Sequence, residues 1–369
     1  MRSFLIKISF PITALLVLYG INAWYSVSPE AAPAVTGTSP APQSIGPLAF
    51  GPDGMLFAAD NRATLIFALD VGRAVEGEVA GLQDIPALDS KIAAALGTST
   101  SDLAITDLVV HPRSHNAFVS VRRGRGADAK PALIRVDGNG AISLVLFDGM
   151  KYSSVGLPDA PTGFMAGAAR AELVTDMALV NDRLWVAGLS NEEFSSKLRS
   201  VEYPFKAVDH GASVEIFHGS HGQFETRSPV YAFVPFPIGG EPYLIAGYLC
   251  TPLVKFPIAA LKPGEKIRGT TIAELGNGNR PIDMITYKKD GRDYLLMSNT
   301  DRGVMKIPSE AFASAAPITV PVKAEKAGIA YETVAQWRGV EELDLYDADH
   351  AVLLARSSGG LDLRVVPLP

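Results

Sequence analysis

Apolar strands and polar turns alternate along the chain in a unit that recurs six times. Each unit has a short apolar strand, a small polar turn and a second apolar strand that often ends at Asp or Pro, as in Leu295–Pro308. Successive units lie 51 to 67 residues apart, measured between Phe57, Phe118, Trp185, Leu244, Leu295 and Leu353. A sheet unit of this size at a near-constant period is typical of a radial repeat in which each unit supplies one propeller blade.

A further apolar strand precedes each of these hairpins, across a turn rich in Gly, Asp and Asn. The stretch Pro47–Phe50 precedes the first unit, and segments such as Ala141–Phe147 follow a unit and would supply an outer strand. Strands bounded by such turns follow the sequence pattern of antiparallel hairpins. The sequence therefore predicts an all-β fold, a six-bladed β-propeller of four-stranded blades over residues 45–369. Either residues 361–367 or the residues just before Ile45 would complete a shared blade.

One insertion has helical spacing. Leu88, Ile92 and Leu96 recur at every fourth position and Gly97 follows, which predicts one short helix on the first blade. Residues 150–167 and 191–211 are predicted to be long loops.

The N-terminal residues resemble an export signal. Arg2 and Lys7 precede an apolar run from Ile8 to Gly20, and small residues around Ala23 would suit cleavage. The alternative is that residues 1–23 stay as an uncleaved membrane anchor. Residues 24–44 are rich in Pro, Ala, Ser and Thr and are predicted to be a flexible linker. We therefore expect a periplasmic or secreted protein, attached to a membrane only if the anchor is retained.

Charge and cysteine content exclude two classes of function. The net charge is −6 and no basic stripe interleaves the aromatic residues, so a nucleic-acid partner is not expected. Cys250 is the only cysteine, which excludes an intrachain disulfide, and no CxxCH motif for covalent haem is present.

The first unit, GPLAFGPDGMLFAADNR at Gly46–Arg62, resembles the strand signature of NHL repeats and of gluconolactonase- and strictosidine-synthase-like propellers. The resemblance implies six blades and, in the lactonase-like enzymes, a channel metal bound by a Glu at the start of the first inner strand. Here that stretch is Ile45, Gly46 and Pro47 and has no carboxylate. No catalytic residue is therefore transferred.

Strand polarity places the start of each inner strand on the same rim as the turns after the middle strands. Four carboxylates occur at matching positions of the inner strands, and they are Asp107, Asp176, Asp283 and Asp344. Converging on the axis, they would bind a hard cation such as Ca²⁺. Alternatively, each Asp accepts hydrogen bonds from neighbouring backbone N–H groups at its own strand.

The least repetitive segment runs from Asp209 to Arg227. His218, His221 and Glu225 have the spacing H-x2-H-x3-E, and imidazole and carboxylate groups so spaced could bind Zn²⁺ or copper. Alternatively, the segment is a Gly-rich loop with exposed histidines. Cys250 is predicted at the rim of the same blade, as a soft metal ligand, as a nucleophile with either histidine as base, or as a buried apolar residue.

Three polar residues complete the predicted ligand site. Arg227 and Arg280 precede inner strands and could pair with an anionic ligand, and Asn299 lies at a rim turn. The favoured hypothesis is an exported propeller that binds a small ligand, a divalent metal (Ca, Zn or Cu) or a periplasmic protein at the channel mouth near the fourth blade. The alternative is a metal-dependent, lactonase-like hydrolase, and an electron-transfer role would rest on the expected compartment alone.

Overall fold

Six β-sheets, numbered blade 1 to blade 6 in chain order, hold nearly all the regular structure. The structure is a computed structural model and describes residues 33–51, 53–72, 81–162 and 166–369. Within these residues three short α-helices accompany the sheets, and they are α1 (Leu88–Ala95), α2 (Ala166–Ala171) and α3 (Ala311–Ser314). The predicted all-β, six-bladed propeller with a short helical insertion is confirmed.

Blades 1 and 2 are both built from chain before residue 160. From the axis outward, blade 1 contains β2 (Leu48–Phe50), β3 (Leu56–Asp60), β4 (Leu65–Leu69), β9 (Lys151–Gly156) and β1 (Val35–Thr38). Blade 2 contains β5 (Leu103–Val110), β6 (Ala117–Arg123), β7 (Lys130–Val136) and β8 (Ile142–Leu144).

Blades 3 and 4 are connected by a strand that reaches from one toward the other. Blade 3 contains β10 (Asp176–Val180), β11 (Arg183–Leu189), β12 (Ser196–Glu202), β13 (Ala212–His218), β14 (Gln223–Glu225) and β18 (Lys266–Arg268). Blade 4 contains β15 (Ala232–Ile238), β16 (Glu241–Gly247), β17 (Pro252–Pro257), β19 (Thr270–Glu274) and β23 (Ala327–Gly328). Strand β18 follows blade 4's third strand in the chain but pairs in parallel with β13.

Blades 5 and 6 are shorter sheets. Blade 5 contains β20 (Pro281–Lys289), β21 (Arg292–Asn299), β22 (Gly303–Pro308) and β24 (Glu332–Thr333). Blade 6 has three strands instead of the expected four, and they are β25 (Val340–Leu345), β26 (His350–Ser357) and β27 (Gly360–Pro367).

The order of the blades around the axis differs from their order in the chain. The inner strand β5 lies between β25 and β2, and β2 in turn contacts β10. The ring therefore runs through blades 6, 2, 1, 3, 4 and 5, and blade 6 closes against blade 2. Of the two segments expected to complete a shared blade, the one before Ile45 supplies β1, which adds a fifth strand to blade 1 by pairing with β9. The other supplies β27 of blade 6, and Leu363 of this strand forms an antiparallel bridge with Ile85 from early in the chain.

Six apolar clusters fill the six junctions between neighbouring blades, and hydrophobic burial there holds the ring together. The junction between blades 6 and 2 includes Leu354 and Val119, and the helix residues Leu88 and Ile92 pack into it. Helix α1 therefore lies on the junction of blades 6 and 2, and its predicted place on the first blade is wrong. The predicted stop is correct, because Gly97 has φ +62° directly after the helix.

Both segments predicted as long loops contain strands. Strand β9 lies within 150–167 and carries little apolar signal, because Val155 is its only buried aliphatic side chain. Strand β12 lies within 191–211, where Lys197 and Arg199 are buried and paired with Glu192 and Asp159 at 2.8 and 3.0 Å. The repeat unit that contains Trp185 predicts a second strand in this stretch, and the loop prediction over 191–211 is wrong there.

Part of the N-terminal prediction falls on chain that the structure does not describe. The expected signal or anchor, residues 1–23, lies outside the described residues, and so does the expected linker up to residue 32. The rest of that linker contains β1, which pairs with β9. No helix within the described ranges is long and apolar enough to cross a membrane.

Candidate functional site

A cavity of about 1270 Å³ follows the propeller axis and is lined mainly by the inner strands. We call it the channel, and we call the end at which the inner strands begin its upper rim. Asn61 and Arg62, from the turn after the middle strand β3, and Arg122, near the end of the middle strand β6, lie at this rim. His115 and Ala348, from turns between inner and middle strands, lie at the other end. The strand polarity assumed from the sequence is therefore that of the structure.

All four aspartates of the predicted set line the channel and bond to the neighbouring blade. The carboxylate oxygens accept backbone N–H groups across four of the six junctions, from Leu48 to Asp107 (2.5 Å), from Phe233 to Asp176 (2.6 Å), from Leu343 to Asp283 (2.7 Å) and from Val110 to Asp344 (2.6 Å). Three of them also accept the N–H of the next residue in their own strand, at 2.7 Å. Each Asp was expected, as the alternative to metal binding, to accept hydrogen bonds at its own strand. In the structure each accepts one from the neighbouring blade and so connects two blades.

Three channel carboxyl groups converge, and one of them was not predicted. One oxygen each from Asp107, Asp283 and Glu342 lie within 4.8 Å of one another. Each of these residues lies at a register irregularity in its inner strand. The irregularities fall between Ile105 and Asp107 in β5, between Pro281 and Met284 in β20, and between Val340 and Glu342 in β25. A β-bulge changes the direction of a side chain, so the three bulges explain why the carboxyl groups meet. We call Asp107, Asp283 and Glu342 the channel triad.

Burial and mutual repulsion shift the titration of these groups. Burial, and then the charge of Asp283, raises the pKa of Asp107 well above its usual value. The same two causes raise the pKa of Glu342. Burial raises the pKa of Asp283 to about 7, against the opposing effect of the Leu343 N–H. Three acidic groups with raised pKa values are thus held close together in the channel.

The two other channel aspartates also have raised pKa values. Burial raises the pKa of Asp176 to about 8, with a smaller contribution from Asp283, and raises that of Asp344 to about 6. Asp176 is therefore largely protonated at pH 7, although it remains accessible from the channel. A carboxyl group in this state can donate a proton.

Arg280 lies at the upper rim, as predicted, and faces an aromatic side chain. Its guanidinium is 5.3 Å from the ring centre of Tyr231, and the Tyr231 hydroxyl donates a hydrogen bond to Glu172 at 2.7 Å. Burial and then Glu172 raise the pKa of Tyr231 to about 12. Arg280, Tyr231 and Glu172 all line the channel.

The other two polar residues predicted for the ligand site lie away from the channel lining. Arg227 is exposed beyond β14. Asn299 is buried, and its side-chain amide donates to the backbone oxygens of Met297 and Gly303 at 2.9 and 3.3 Å. Its own oxygen accepts a hydrogen bond from Asn279, so Asn299 holds a turn together.

His218, His221 and Glu225 form a cluster at the hairpin between β13 and β14. The Nδ1 atom of His221 lies 2.6 Å from one oxygen of Glu225, and Nδ1 of His218 lies 3.0 Å from the other. The imidazole centres are 3.8 Å apart. Burial alone would raise the pKa of Glu225, but the two histidines lower it to about 2, so Glu225 is ionised. The hairpin turn requires Gly222, which has φ +65°.

Cys250 joins this cluster from blade 4. It lies in the turn between β16 and β17, where its N–H donates to Asn279 at 2.7 Å. Its Sγ and one nitrogen of each of His218 and His221 lie within 4.8 Å of one another. The structure therefore brings together the four residues His218, His221, Glu225 and Cys250.

The location of this cluster differs from the expected channel mouth, because none of its four residues is among those that line the channel. Strand β13 extends from blade 3 toward the outer strand of blade 4, and the Thr271 hydroxyl of β19 donates to the Phe217 oxygen at 2.7 Å. This crossing carries His218 to the outside of the junction between blades 3 and 4.

Two residues of these sites, Glu342 and Glu274, were not predicted from the sequence. Asp344 was predicted as the channel carboxylate of its strand, whereas Glu342, two residues earlier, was not, although Glu341 and Glu342 are two further acidic residues at this place. Glu274 ends β19 and accepts the Gly219 N–H at 2.6 Å beside the histidine cluster. No local motif marks Glu274, because its hydrogen-bond donors Gly219 and Ser220 lie more than 50 residues earlier, in the hairpin between β13 and β14.

Comparison with known proteins adds only distant structural similarity. The chain is similar to a soluble aldose sugar dehydrogenase from Escherichia coli in the apo-form, at 10% identity and TM-score 0.36. It is also similar to a glucose dehydrogenase (12%, 0.38) and to PQQ-bound aldose sugar dehydrogenase from Streptomyces coelicolor (12%, 0.29). Each match covers 91% of this chain and 100% of the other. No protein-family model and no curated protein matches the chain. At TM-scores below 0.5 these similarities carry no inference about the chemistry of this chain.

Proposed function

We propose that the protein is a ligand-binding β-propeller whose channel binds a hard divalent cation, Ca²⁺, together with a small oxygen-rich molecule that completes the coordination. The observation that carries the proposal is the convergence of one oxygen each from Asp107, Asp283 and Glu342 within 4.8 Å.

The spacing of these oxygens suits one shared calcium ion. Calcium is bound by oxygen ligands at about 2.3–2.6 Å, so two oxygens on one ion lie at most about 5 Å apart. The three bulges that turn the triad toward one point also support a binding role, because bulges of this kind are frequent beside functional sites.

The charge of the triad supports a cation. The raised pKa values of Asp107, Asp283 and Glu342 follow from burial and from repulsion among the carboxyl groups. Arg62 at the rim donates to the backbone oxygens of Ala127 and Ala129 instead of pairing with the triad. A divalent cation would displace the protons and remove the repulsion.

The size of the channel supports a second ligand beside the ion. Its volume of about 1270 Å³ far exceeds the space of one cation and is sufficient for a small molecule. Arg280 and Tyr231 at the upper rim supply a cationic and a hydroxyl group to such a molecule.

Calorimetric titration of chelator-stripped protein with Ca²⁺ tests the proposal. We expect one ion per chain, with proton release at pH 6–7 and an affinity that falls as the pH is lowered, because protons compete for the triad. Asp283→Asn and Glu342→Gln should each weaken binding by about 10-fold or more, since each removes one charged ligand.

A matched control is available one residue away. Glu341 is adjacent to Glu342 in sequence, but it pairs with Arg356, whose Nη2 donates to it at 2.8 Å, outside the channel. Glu341→Gln should therefore leave Ca²⁺ affinity unchanged. Equal affinities in wild type, Asp283→Asn and Glu342→Gln would refute a cation at the triad.

The protonated state of Asp176 favours one second candidate, a metal-dependent hydrolase that uses the same channel. Asp176 would serve as general acid, because its pKa is raised to about 8 by burial. This candidate requires that the calcium-loaded protein hydrolyse lactones or esters and that Asp176→Asn lose the hydrolysis while keeping Ca²⁺ affinity.

A further inference from the structure

We infer that His218, His221 and Cys250 bind a zinc-class transition-metal ion outside the junction between blades 3 and 4. This site is separate from the channel and is independent of the function proposed above. It would be a mixed nitrogen and sulfur site, whereas the channel triad supplies oxygen alone, and metals discriminate between these ligand types.

The three side chains come from two blades and meet at one point. His218 and His221 belong to the hairpin of β13 and β14, and Cys250 belongs to the turn between β16 and β17. Zinc bonds of about 2.0–2.1 Å to nitrogen and about 2.3 Å to sulfur place tetrahedral ligands roughly 3.5 Å apart. The ligand atoms lie within 4.8 Å of one another, so each pair needs to draw together by at most roughly 1.3 Å. His221 is 45% exposed, so its ring has room to make this adjustment while Nδ1 keeps its contact with Glu225.

His218 supplies the independent sign of a missing ligand. Its side chain is 1% exposed, yet its Nε2 has no hydrogen-bond partner among the described residues. Its Nδ1 faces Glu225 at 3.0 Å, whereas Nε2 is 3.8 Å from the nearest oxygen of Glu274, which is too far for a hydrogen bond. A buried polar group without a partner is costly. A bond between the His218 ring nitrogen and a metal ion would supply the missing partner.

Glu225 is placed to orient both imidazoles. Its two oxygens face Nδ1 of His218 at 3.0 Å and Nδ1 of His221 at 2.6 Å. Carboxylate contacts of this kind fix the ring orientation of metal-bound histidines. The Nδ1 contact of His221 leaves its Nε2 for the metal. Glu225 is thus a positioning residue.

The donor set leaves one coordination position open. Three protein ligands occupy three corners of a tetrahedron, and the exposed side of His221 gives water or a small molecule access to the fourth. When the ion binds, the Cys250 thiol releases its proton to solvent and the sulfur–metal bond forms without oxidation or reduction. The same bond connects blade 3 to blade 4.

Substitution with Co²⁺ gives a direct spectroscopic test. Chelator-stripped full-length protein should bind one Co²⁺ and show thiolate-to-cobalt charge-transfer absorption together with intense tetrahedral ligand-field bands. Cys250→Ser should lose the charge-transfer absorption, and His221→Ala, a change at an exposed position that leaves the fold intact, should lose the tetrahedral bands. Glu225→Gln should weaken binding by about 10-fold to 100-fold without removing the charge-transfer absorption.

Two controls separate this site from others. His210 belongs to another potential ligand group, with Asp159 and Glu192, so His210→Ala should leave the spectrum unchanged. Asp283→Asn in the channel should do the same. Absence of the charge-transfer absorption in the wild type, or its persistence in Cys250→Ser, would overturn the inference, as would loss of the tetrahedral bands in His210→Ala.

Discussion

At the scale of single residues, the channel aspartates combine a structural and a chemical role. Asp283 accepts the Leu343 N–H from the next blade at 2.7 Å and also belongs to the channel triad. The N–H bond favours its ionised form, whereas burial disfavours it more strongly and raises the pKa to about 7. A carboxyl group that holds two blades together is therefore also one that a cation or a proton must neutralise.

The raised pKa of Asp283 predicts a stability that depends on pH in the absence of metal. The folded state binds this proton more tightly than the unfolded state, so the contribution is complete below the unfolded pKa near 3.8 and is lost as the pH rises through about 7. In the presence of a chelator that removes divalent metal ions, the Tm should decrease as the pH is raised from 5 to 8. Asp283→Asn should make this fall shallower, by at most about 1.4 kcal/mol per pH unit for one proton.

Asparagine is well suited to this comparison, because its amide oxygen can still accept the Leu343 N–H. Melting followed by circular dichroism over this pH range measures the effect, and Glu341→Gln should keep the wild-type slope. Parallel curves for wild type and Asp283→Asn would mean that Asp283 does not titrate in this window.

At the scale of elements, hydrogen bonds between inner strands supplement the apolar junctions. Asp344 of β25 accepts the Val110 N–H of β5 at 2.6 Å, where blade 6 meets blade 2. Asp344→Ala should leave that N–H without its partner and destabilise the protein by about 1–3 kcal/mol. Urea unfolding measures the loss, and hydrogen exchange at Val110 should become faster in the variant.

Asp128 provides the control for this substitution, because it is exposed and away from the inner strands. Asp128→Ala should change neither the stability nor the exchange. Unaltered protection of Val110 in Asp344→Ala would show that blades 6 and 2 are not connected at this point.

The hairpins could be predicted from sequence because their signals are local. The strand–turn–strand pattern predicted for Leu295–Pro308 is present as β21 and β22, with Asn299 opposite Gly303. Strand β9 could not be predicted in the same way, because it pairs with β4 more than 80 residues earlier and has little apolar content. Pairing at such separation depends on the assembled ring and not on the segment itself.

The candidate sites show the same difference between residues that are close in sequence and residues that only the fold brings together. The histidine cluster could be predicted because His218, His221 and Glu225 belong to one hairpin, and Cys250 was added from strand polarity alone. Glu342 was missed because its direction depends on the bulge between Val340 and Glu342, which alternation along the strand does not reveal. The position of the cluster outside the channel follows from the crossing of β13 toward blade 4, which has no sequence signature.

At the scale of the whole molecule, the chain visits blade 2 before it finishes blade 1. Strands β1 to β4 come first in the chain, blade 2 follows, and β9 then returns to pair with β4 and β1. This path places blade 2 between blades 6 and 1 and closes the ring through the cluster that includes Val119 and Leu354. Closure brings Asp107 of blade 2 beside Asp283 and Glu342 of blades 5 and 6. The proposed cation site therefore exists only in the closed ring.

A crystal structure of the protein soaked in Ca²⁺ tests this account most directly. We expect a single strong peak in the channel, at about 2.3–2.6 Å from oxygens of Asp107, Asp283 and Glu342, with its remaining ligands from water or a small molecule. A channel without such a peak at saturating Ca²⁺, with the Glu342 carboxyl hydrogen-bonded directly to Asp283, would contradict the account.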